Sequence, residues 1–304
     1  MNFDGIFTPV ITPNLLNLEI DYKGLEVMLG YLLDSKVNGI VIAGTTGEYY
    51  AQSISERVNI LKFAKQVIKK DLPLVAGVNS MKAEESIYLA KAAKKENYDA
   101  IFISSPPYSQ PTERENANHA LSIDRAVDMP VMLYNFPAKM AVDMGKEYLD
   151  IVSKSRNFIA IKEASGSPSK LHLLAREFPQ IQISCGMDDQ ALEFFAWGAR
   201  SWVCAGSNFA PEIHKALYKT CVIKNDFVLG RQIMMAMLPI LDVLENGGKF
   251  IQSVKYCLEI MGKPSGPPRF PLRPLNKDEK RKLERVFMTM NQTFNNIKIG
   301  ESDD

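Results

Sequence analysis

Eight short apolar segments, rich in β-branched residues, recur along the first two thirds of the chain with helical patterns between them. They predict strands at 5–8, 39–43, 73–78, 100–104, 130–135, 159–162, 181–185 and 201–205, whose starts are 20 to 34 residues apart. Each interval has room for one strand, one helix and two short loops, which is the βα unit of a parallel sheet. This alternation constrains the fold more than any other feature of the sequence.

The segments between the strands carry apolar residues at helical spacing. In 21–35, four leucine and methionine residues fall at i, i+3, i+4 and i+7, which places them on one face of a helix. The segment 53–70 opens with Ser53 and Glu56 at the spacing of a capping box. A further helix is predicted over 211–224, where a proline opens it.

Eight βα units fit two architectures, a closed (β/α)8 barrel and a doubly wound open sheet. A dinucleotide-binding half of the open sheet would carry GxGxxG after its first strand, and the sequence has no such triplet. Eight units of similar length favour the barrel. We therefore predict an α/β fold, a (β/α)8 TIM barrel over residues 1–224 that is the catalytic part of the chain.

The remaining residues, 225–304, predict a C-terminal helical extension packed on the barrel. Helices are expected at 226–246, 249–261 and 278–294, and the chain ends in the polar tail IGESDD. The proline-rich segment 262–275, GKPSGPPRFPLRPL, predicts an extended strap between the last two helices. Lys249 and Lys255 are expected on a solvated helix face.

Charge and hydropathy exclude several kinds of partner. Lys and Arg number 36 and Asp and Glu number 35, so the net charge of +1 offers no basic excess for nucleic acid or an anionic membrane. The longest apolar run, 234–241, is eight residues, whereas a membrane span needs about 20. The N-terminal segment has no basic region before an apolar run and does not predict a signal peptide.

The spacing of the cysteines and histidines limits the kinds of metal or catalytic site that the sequence can form. The four cysteines lie at least 17 residues apart and form no CxxC, which favours reduced thiols in a cytoplasmic protein. The three histidines form neither HxH nor HExxH, so the usual zinc signature is missing, while carboxylate-bound magnesium stays open. No GxSxG motif is present for a serine nucleophile.

Lys162 is the most informative residue at the predicted barrel mouth. Active sites of (β/α)8 barrels lie at the C-terminal ends of the strands, and Lys162 follows the apolar run 159–161. Burial there would lower the pKa of the amine from about 10.4 toward roughly 7–8, where it can attack a ketone and form a Schiff base. The alternative is a structural lysine that reaches water or pairs with Glu163.

Other strand ends carry complementary groups. The GTTGE loop, residues 44–48, predicts an anion cradle in which two glycines allow close backbone approach and two threonine hydroxyls add donors; an ordinary βα turn is the alternative. Tyr134 ends a strand and can relay a proton, or simply line the barrel. Tyr108 lies in a loop that could present it to a partner subunit. Asp188 and Asp189 are expected to be helix N-terminal acids.

Five motifs along the chain resemble those of a known family. GIFTPVITP at the start, GTTGE at 44–48, YNFP at 134–137, IKEASG at 161–166 and GMDD at 186–189 are similar to the dihydrodipicolinate synthase / N-acetylneuraminate lyase family of pyruvate-dependent class I aldolases. The resemblance covers essentially the whole chain. It implies a metal-independent lyase that uses no cofactor beyond a covalent lysine imine with its 2-oxo-acid substrate.

The resemblance also implies residue roles. Lys162 matches the Schiff-base lysine, Tyr134 the proton-relay tyrosine and Thr45 the relay threonine, and Tyr108 matches a tyrosine lent across a tight dimer interface. A homotetramer, a dimer of dimers, is implied as well. The substrate-binding residues implied are Gly44, Thr46, Gly47, Lys139, Gly186 and Val203.

Two departures leave the second substrate open. Synthases of the family usually carry arginine five residues after the tyrosine, where this chain has Lys139, which lacks the bidentate fork of a guanidinium. They also tend to have two tyrosines in the loop where this chain has Pro107 and Tyr108. YNFPA and GSNFAP (206–211) are closer to 2-keto-3-deoxy sugar-acid aldolases. The subclass is therefore either a 4-hydroxy-tetrahydrodipicolinate synthase or such an aldolase.

Two further readings stay open. One is a paralogue that binds 2-oxo acids without turnover, against which the joint presence of the four predicted catalytic residues argues. The other is a phosphate-binding isomerase barrel, for which Ala205, Gly206 and Ser207 would supply the glycine-containing loop after the last strand.

Overall fold

Eight parallel strands close into a barrel in the computed structural model, which describes residues 1–297. The strands follow one another in chain order, and the eighth pairs with the first through Phe7 and Val203. The predicted (β/α)8 barrel is thus confirmed, and each predicted strand overlaps an observed one. The strands are β1 (Gly5–Pro9), β2 (Gly39–Ile42), β3 (Leu74–Gly77), β4 (Ala100–Ser104), β5 (Val131–Asn135), β6 (Phe158–Glu163), β7 (Gln182–Cys185) and β8 (Ser201–Val203).

Helices surround the barrel and begin where the sequence signals predict. Ser53 accepts a hydrogen bond from the Glu56 amide, and the Glu56 carboxylate accepts one from the Ser53 amide, so the capping box is formed. The helix opened by Pro211 continues as a π-helical turn over Lys219–Ile223. The helices are α1 (Tyr22–Asp34), α2 (Ile54–Ile68), α3 (Ala83–Lys95), α4 (Glu113–Val127), α5 (Pro137–Met140), α6 (Lys146–Val152), α7 (Pro168–Glu177), α8 (Ala191–Ala196) and α9 (Pro211–Tyr218).

The hydrophobic core has two layers because side chains alternate along each strand. Inward-facing residues such as Phe7, Phe102 and Met132 fill the barrel, and outward-facing residues such as Leu133 and Ile161 pack under the helices. Both faces of the strands are therefore buried, as parallel sheets require. This alternation also decides which polar side chains at the strand ends point into the barrel mouth.

The C-terminal extension consists of α10 (Phe227–Asn246), α11 (Phe250–Ile260) and α12 (Lys277–Asn295), as predicted. Helix α10 contacts α8, α9 and the short helix 188–190 at the barrel mouth. By length and composition it could cross a membrane, but one of its faces, including Ile233, Met237 and Ile240, is buried in the hydrophobic core. The division of the chain after residue 224 stays a prediction, and the tail IGESDD lies outside the described residues.

The prediction of a solvated face for Lys255 is wrong. Its side chain is 3% exposed, and its Nζ lies 2.6 Å from Glu48 Oε1. Lys255 follows Val254 on the face of α11 that packs inward, and a carboxylate from the GTTGE loop compensates its charge. Lys249, by contrast, is partly exposed and pairs with Glu279 across 2.8 Å. No helical pattern could have shown that a loop 200 residues away holds the partner of Lys255.

Candidate active site

Strands β5 and β6 bring Tyr134 and Lys162 side by side inside the mouth of the barrel. The two residues are partners in the strand register, two residues beyond the Met132 and Ala160 pair and on the same inward-facing side of the strands. The Lys162 Nζ lies 4.7 Å from the centre of the Tyr134 ring. The two residues are 8% and 4% exposed. A primary amine and a phenol therefore lie side by side, and both are largely shielded from solvent.

Burial shifts the protonation equilibrium of Lys162 toward its uncharged amine. Burial lowers the pKa of Lys162, and the negative charges of Asp188 and Glu245 oppose that shift. Glu163 is not its partner, because the Glu163 carboxylate points outward and accepts hydrogen bonds from Asn135 Nδ2 at 2.8 Å and the Ser165 amide at 2.6 Å. Within residues 1–297, no carboxylate lies within 4.0 Å of the Lys162 Nζ. The amine is thus available as a nucleophile.

Tyr134 is held rigidly with a protonated hydroxyl. Its ring stacks on Phe102, with ring centres 4.9 Å apart and planes at 21°. Burial raises the pKa of Tyr134, and the nearby Thr45 hydroxyl opposes that shift. Thr45 Oγ1 is buried without a formed hydrogen bond among the described residues, so the two hydroxyls are near each other but not bonded. The Thr45 hydroxyl has a free donor and acceptor for a substrate or a proton in transit.

The GTTGE loop presents unpaired donors at the same end of the barrel. The Gly47 amide donates to the Gly44 carbonyl and the Glu48 amide to the Thr45 carbonyl, each at 3.0 Å. The amides of Thr45 and Thr46 have no such partner in the part of the chain that the structure describes. A Cβ on Gly47 would lie 3.1 Å from the Val10 carbonyl oxygen, so glycine allows the close approach there. The free amides suit a carboxylate.

Other predicted residues line the mouth or lie at its rim. Val203 is fully buried in the same interior cluster as Tyr134. A Cβ on Gly186 would lie 2.5 Å from the Glu163 carbonyl oxygen, so this glycine lets β7 end close against β6. Lys139 lies on α5 with its Nζ 5.5 Å from the centre of the Phe136 ring. It is exposed at the rim of the mouth.

Tyr108 is not part of this cluster within one chain. Its side chain is 90% exposed, in the loop that follows β4. Its φ of 73° lies in the left-handed region, a conformation that costs a tyrosine energy and that surrounding contacts must hold. The exchange of Tyr108 between subunits stays a prediction.

Asp188 is a buried carboxylate, whereas the sequence predicts only a helix N-terminal acid at this position. It does lie in the first turn of the short helix 188–190, but its carboxylate accepts hydrogen bonds from Trp202 Nε1 at 3.0 Å and the Gly206 amide at 3.3 Å. Burial raises the pKa of Asp188 despite the opposing charge of Lys162. Burial thus shifts Asp188 and Lys162 in opposite directions, each toward its uncharged form.

Glu245 was not predicted, because it lies on α10 of the extension. Burial, with the negative charges of Asp188 and Asp189, raises the pKa of Glu245 to about 8 against the opposing charges of Lys162 and Lys139. The extension therefore brings a carboxyl group with a raised pKa close to the charged residues of the barrel mouth. Helical periodicity alone does not show that residue 245 lies near the barrel mouth.

The fold and the site together define a class of protein, the (β/α)8 lyases that act by class I aldolase chemistry. Comparison with known proteins then gives the family. A family model described as "Dihydrodipicolinate synthetase family" matches residues 2–290. The chain belongs to the dihydrodipicolinate synthetase family.

Curated relatives match over nearly their full length. A 4-hydroxy-tetrahydrodipicolinate synthase of Archaeoglobus fulgidus is 28% identical over 293 residues, covering 95% of this chain and 98% of the relative. One of Thermosipho melanesiensis is 31% identical over 291 residues, covering 94% and 98%. The chain is thus similar throughout to enzymes of that name.

Solved structures of the family superpose closely. The 4-hydroxy-tetrahydrodipicolinate synthase of Methylacidiphilum fumariolicum SolV has a TM-score of 0.91 at 28% identity, covering 98% of this chain and 99% of its own. YagE, a prophage protein of E. coli K12 solved in complex with pyruvate, has a TM-score of 0.88 at 26% identity, covering 95% and 99%. The barrel and the helices after it are therefore those of the family.

Proposed function

We propose that the protein forms an imine between Lys162 and pyruvate, or a 2-oxo acid that yields pyruvate, and makes or breaks a carbon–carbon bond on the resulting enamine. The observation that carries this proposal is the buried, unpaired Lys162 amine beside Tyr134. The amine lone pair attacks the C2 carbonyl, and the carbinolamine loses water to give the imine. Loss of a C3 proton gives an enamine that attacks an aldehyde, and hydrolysis returns the amine.

The neighbouring groups match the needs of these steps. Tyr134 is positioned to donate and accept the protons of carbinolamine breakdown, with the Thr45 hydroxyl next in line. The free amides of Thr45 and Thr46 would hold the substrate carboxylate. This chemistry needs no cofactor beyond the lysine imine, and pyruvate fits the pyruvate complex of the structural relative YagE.

Tyr108 completes the relay, in this proposal, from a second copy of the chain. A homotetramer built as a dimer of dimers fits the exposed Tyr108 and the apolar side chains exposed after β2 and β3, Tyr50 and Met81. We place this assembly in the cytoplasm.

Exchange of Tyr108 predicts complementation between two inactive variants. Tyr108→Ala protomers keep Lys162, and Lys162→Met protomers keep Tyr108, so one site of each hybrid dimer is intact. Equal co-expression should restore roughly a quarter of wild-type activity, since half the dimers are hybrids with one working site in two. Mixtures of either variant with a Tyr108→Ala/Lys162→Met double variant are the control and should stay inactive. No recovery, or full activity of Tyr108→Ala alone, would contradict the exchange.

The proposal for the second substrate rests on the names of the relatives and on the residues at the rim of the mouth. The names of the curated relatives favour aspartate semialdehyde as the acceptor, the substrate of a 4-hydroxy-tetrahydrodipicolinate synthase. Lys139 favours the other subclass, a 2-keto-3-deoxy sugar-acid aldolase, because a lysine cannot grip a carboxylate in the bidentate manner of arginine. The Glu245 carboxyl group would be a hydrogen-bond partner for a sugar hydroxyl, which also favours the aldolase.

Two assays with one variant decide between the subclasses. Pyruvate release from 2-keto-3-deoxygluconate is compared with condensation of pyruvate and aspartate semialdehyde. The aldolase is expected to prefer the sugar acid, and Lys139→Arg should then raise kcat/KM for aspartate semialdehyde by about tenfold, the equivalent of one added charge-assisted hydrogen bond. A wild-type preference for aspartate semialdehyde would assign the synthase subclass instead.

The two non-lyase readings have less support in the structure. The Gly206 amide, the main donor of the predicted phosphate loop, already donates to the Asp188 carboxylate, and a phosphate there would face a buried acid. A larger rise in melting temperature with phosphate than with pyruvate would favour the isomerase. Pyruvate binding without turnover of any aldehyde would favour the non-catalytic paralogue.

A further inference from the structure

A buried ion pair joins the GTTGE loop to the C-terminal extension. Glu48, the last residue of the loop, is 1% exposed, and its Oε1 lies 2.6 Å from the Nζ of Lys255 on α11. Its other oxygen, Oε2, accepts a hydrogen bond from the Arg269 amide at 2.8 Å. One carboxylate thus binds a helix and the strap, residues 262–275, at once.

The strap is fixed on both sides of this contact. The Lys255 Nζ also donates to the Pro267 carbonyl at 3.1 Å. The Arg269 guanidinium donates to the Leu18 and Ala51 carbonyls and to the Glu56 carboxylate at 2.6 Å. Leu18 and Ala51 lie in the segments after β1 and β2. These contacts therefore tie the strap to two segments at the barrel mouth.

Glu48 has an unfavourable backbone conformation at the end of the GTTGE loop. Glu48 has a φ of 59°, in the left-handed region that a glutamate adopts at an energetic cost. In that conformation its amide donates to the Thr45 carbonyl, which closes the turn that leaves the Thr45 and Thr46 amides free. The ion pair with Lys255 and the hydrogen bond from the Arg269 amide hold the Glu48 side chain and help to offset this cost.

We propose that Lys255 is a positioning residue for the substrate carboxylate, acting through Glu48 to fix the Thr45 and Thr46 amides. The inference rests on the proposed function, in which those amides bind the carboxylate of a 2-oxo acid. It gives the C-terminal extension a part in substrate binding, although none of its residues in this network touches the substrate.

Removal of the Lys255 charge tests the proposal. The readout is trapping of the Lys162 imine by borohydride, measured for its half-saturating pyruvate concentration and its rate at saturating pyruvate. Lys255→Met is expected to raise the half-saturating concentration about tenfold, as for the loss of one well-placed interaction, and to leave the saturating rate within about threefold. Lys255→Arg, which keeps the charge, should restore most of the affinity.

Lys249→Met is the matched control. Lys249 also lies at α11 and forms an ion pair, with Glu279 of α12, but does not contact the loop. Both parameters should stay at wild-type values in this variant. If Lys255→Met does not fold, Glu48→Gln poses the same question, because its amide oxygen can still accept from Arg269 while the charge is gone.

The outcomes separate this inference from the proposed function. A folded Lys255→Met or Glu48→Gln protein with unchanged half-saturation, and only a lower melting temperature, would overturn the positioning role. Wild-type protein that gives no adduct at Lys162 would overturn the proposed function itself.

Discussion

Lys162→Met is expected to lower kcat by roughly four orders of magnitude or more, as removal of a nucleophile does in other enzymes. Without the amine no imine can form, and the remaining groups can only bind and polarise the substrate. The fold should be retained, because methionine keeps most of the length of the lysine side chain and the native amine has no carboxylate within 4.0 Å whose charge would be left unpaired. Steady-state kinetics together with thermal unfolding measure both effects.

Lys170→Met is the control for that variant. Lys170 is also 8% exposed, but its Nζ is paired with Asp143 at 2.6 Å and donates to the Met144 carbonyl. Its loss should lower the melting temperature and leave imine formation intact, the reverse of the effect at Lys162. Residual activity of Lys162→Met above a few per cent would remove the lysine from the mechanism.

Tyr134→Phe is expected to slow turnover by roughly 10²- to 10⁴-fold, the range for loss of a general acid–base group. The ring that stacks on Phe102 is kept, so the packing of the mouth should not change. Because burial raises the pKa of Tyr134 from its ordinary value, the phenol stays protonated across neutral pH, and the loss should be similar from pH 6 to 8.

Tyr148→Phe separates the hydroxyl of Tyr134 from the general effect of removing a buried phenol. Tyr148 lies on α6, is fully buried and has no hydrogen-bond partner for its hydroxyl among residues 1–297. Its replacement should leave turnover unchanged and keep or raise stability. Near-normal turnover of Tyr134→Phe, with the protein folded, would exclude Tyr134 from proton transfer.

The barrel and much of its mouth could be predicted from the sequence because both follow from local periodicity. Spacing of the apolar runs gave the eight βα units, and strand ends in a parallel barrel meet at one rim. Lys162 and Tyr134 were therefore expected near each other, and the strand register makes them neighbours. Burial of the lysine, and the direction of its pKa shift, followed from the apolar residues that precede it.

The rest depended on contacts between distant parts of the chain. Asp188 was assigned to a helix terminus because its hydrogen bonds to Trp202 and Gly206 form only when β7 and β8 are adjacent. Glu245 and Lys255 lie on the extension, and helical spacing says which face of a helix is apolar but not which loop it will meet. Lys255 was consequently placed in solvent, although its charge is buried against Glu48.

Borohydride reduction in the presence of pyruvate, followed by peptide mass spectrometry, tests the central claim most directly. We expect one stable adduct per chain, with the mass of a reduced pyruvate imine, on the peptide that contains Lys162. The adduct should be missing from Lys162→Met and present in Lys170→Met. Absence of an adduct in the wild-type protein, or its location on another lysine such as Lys139, would show that Lys162 does not form the imine.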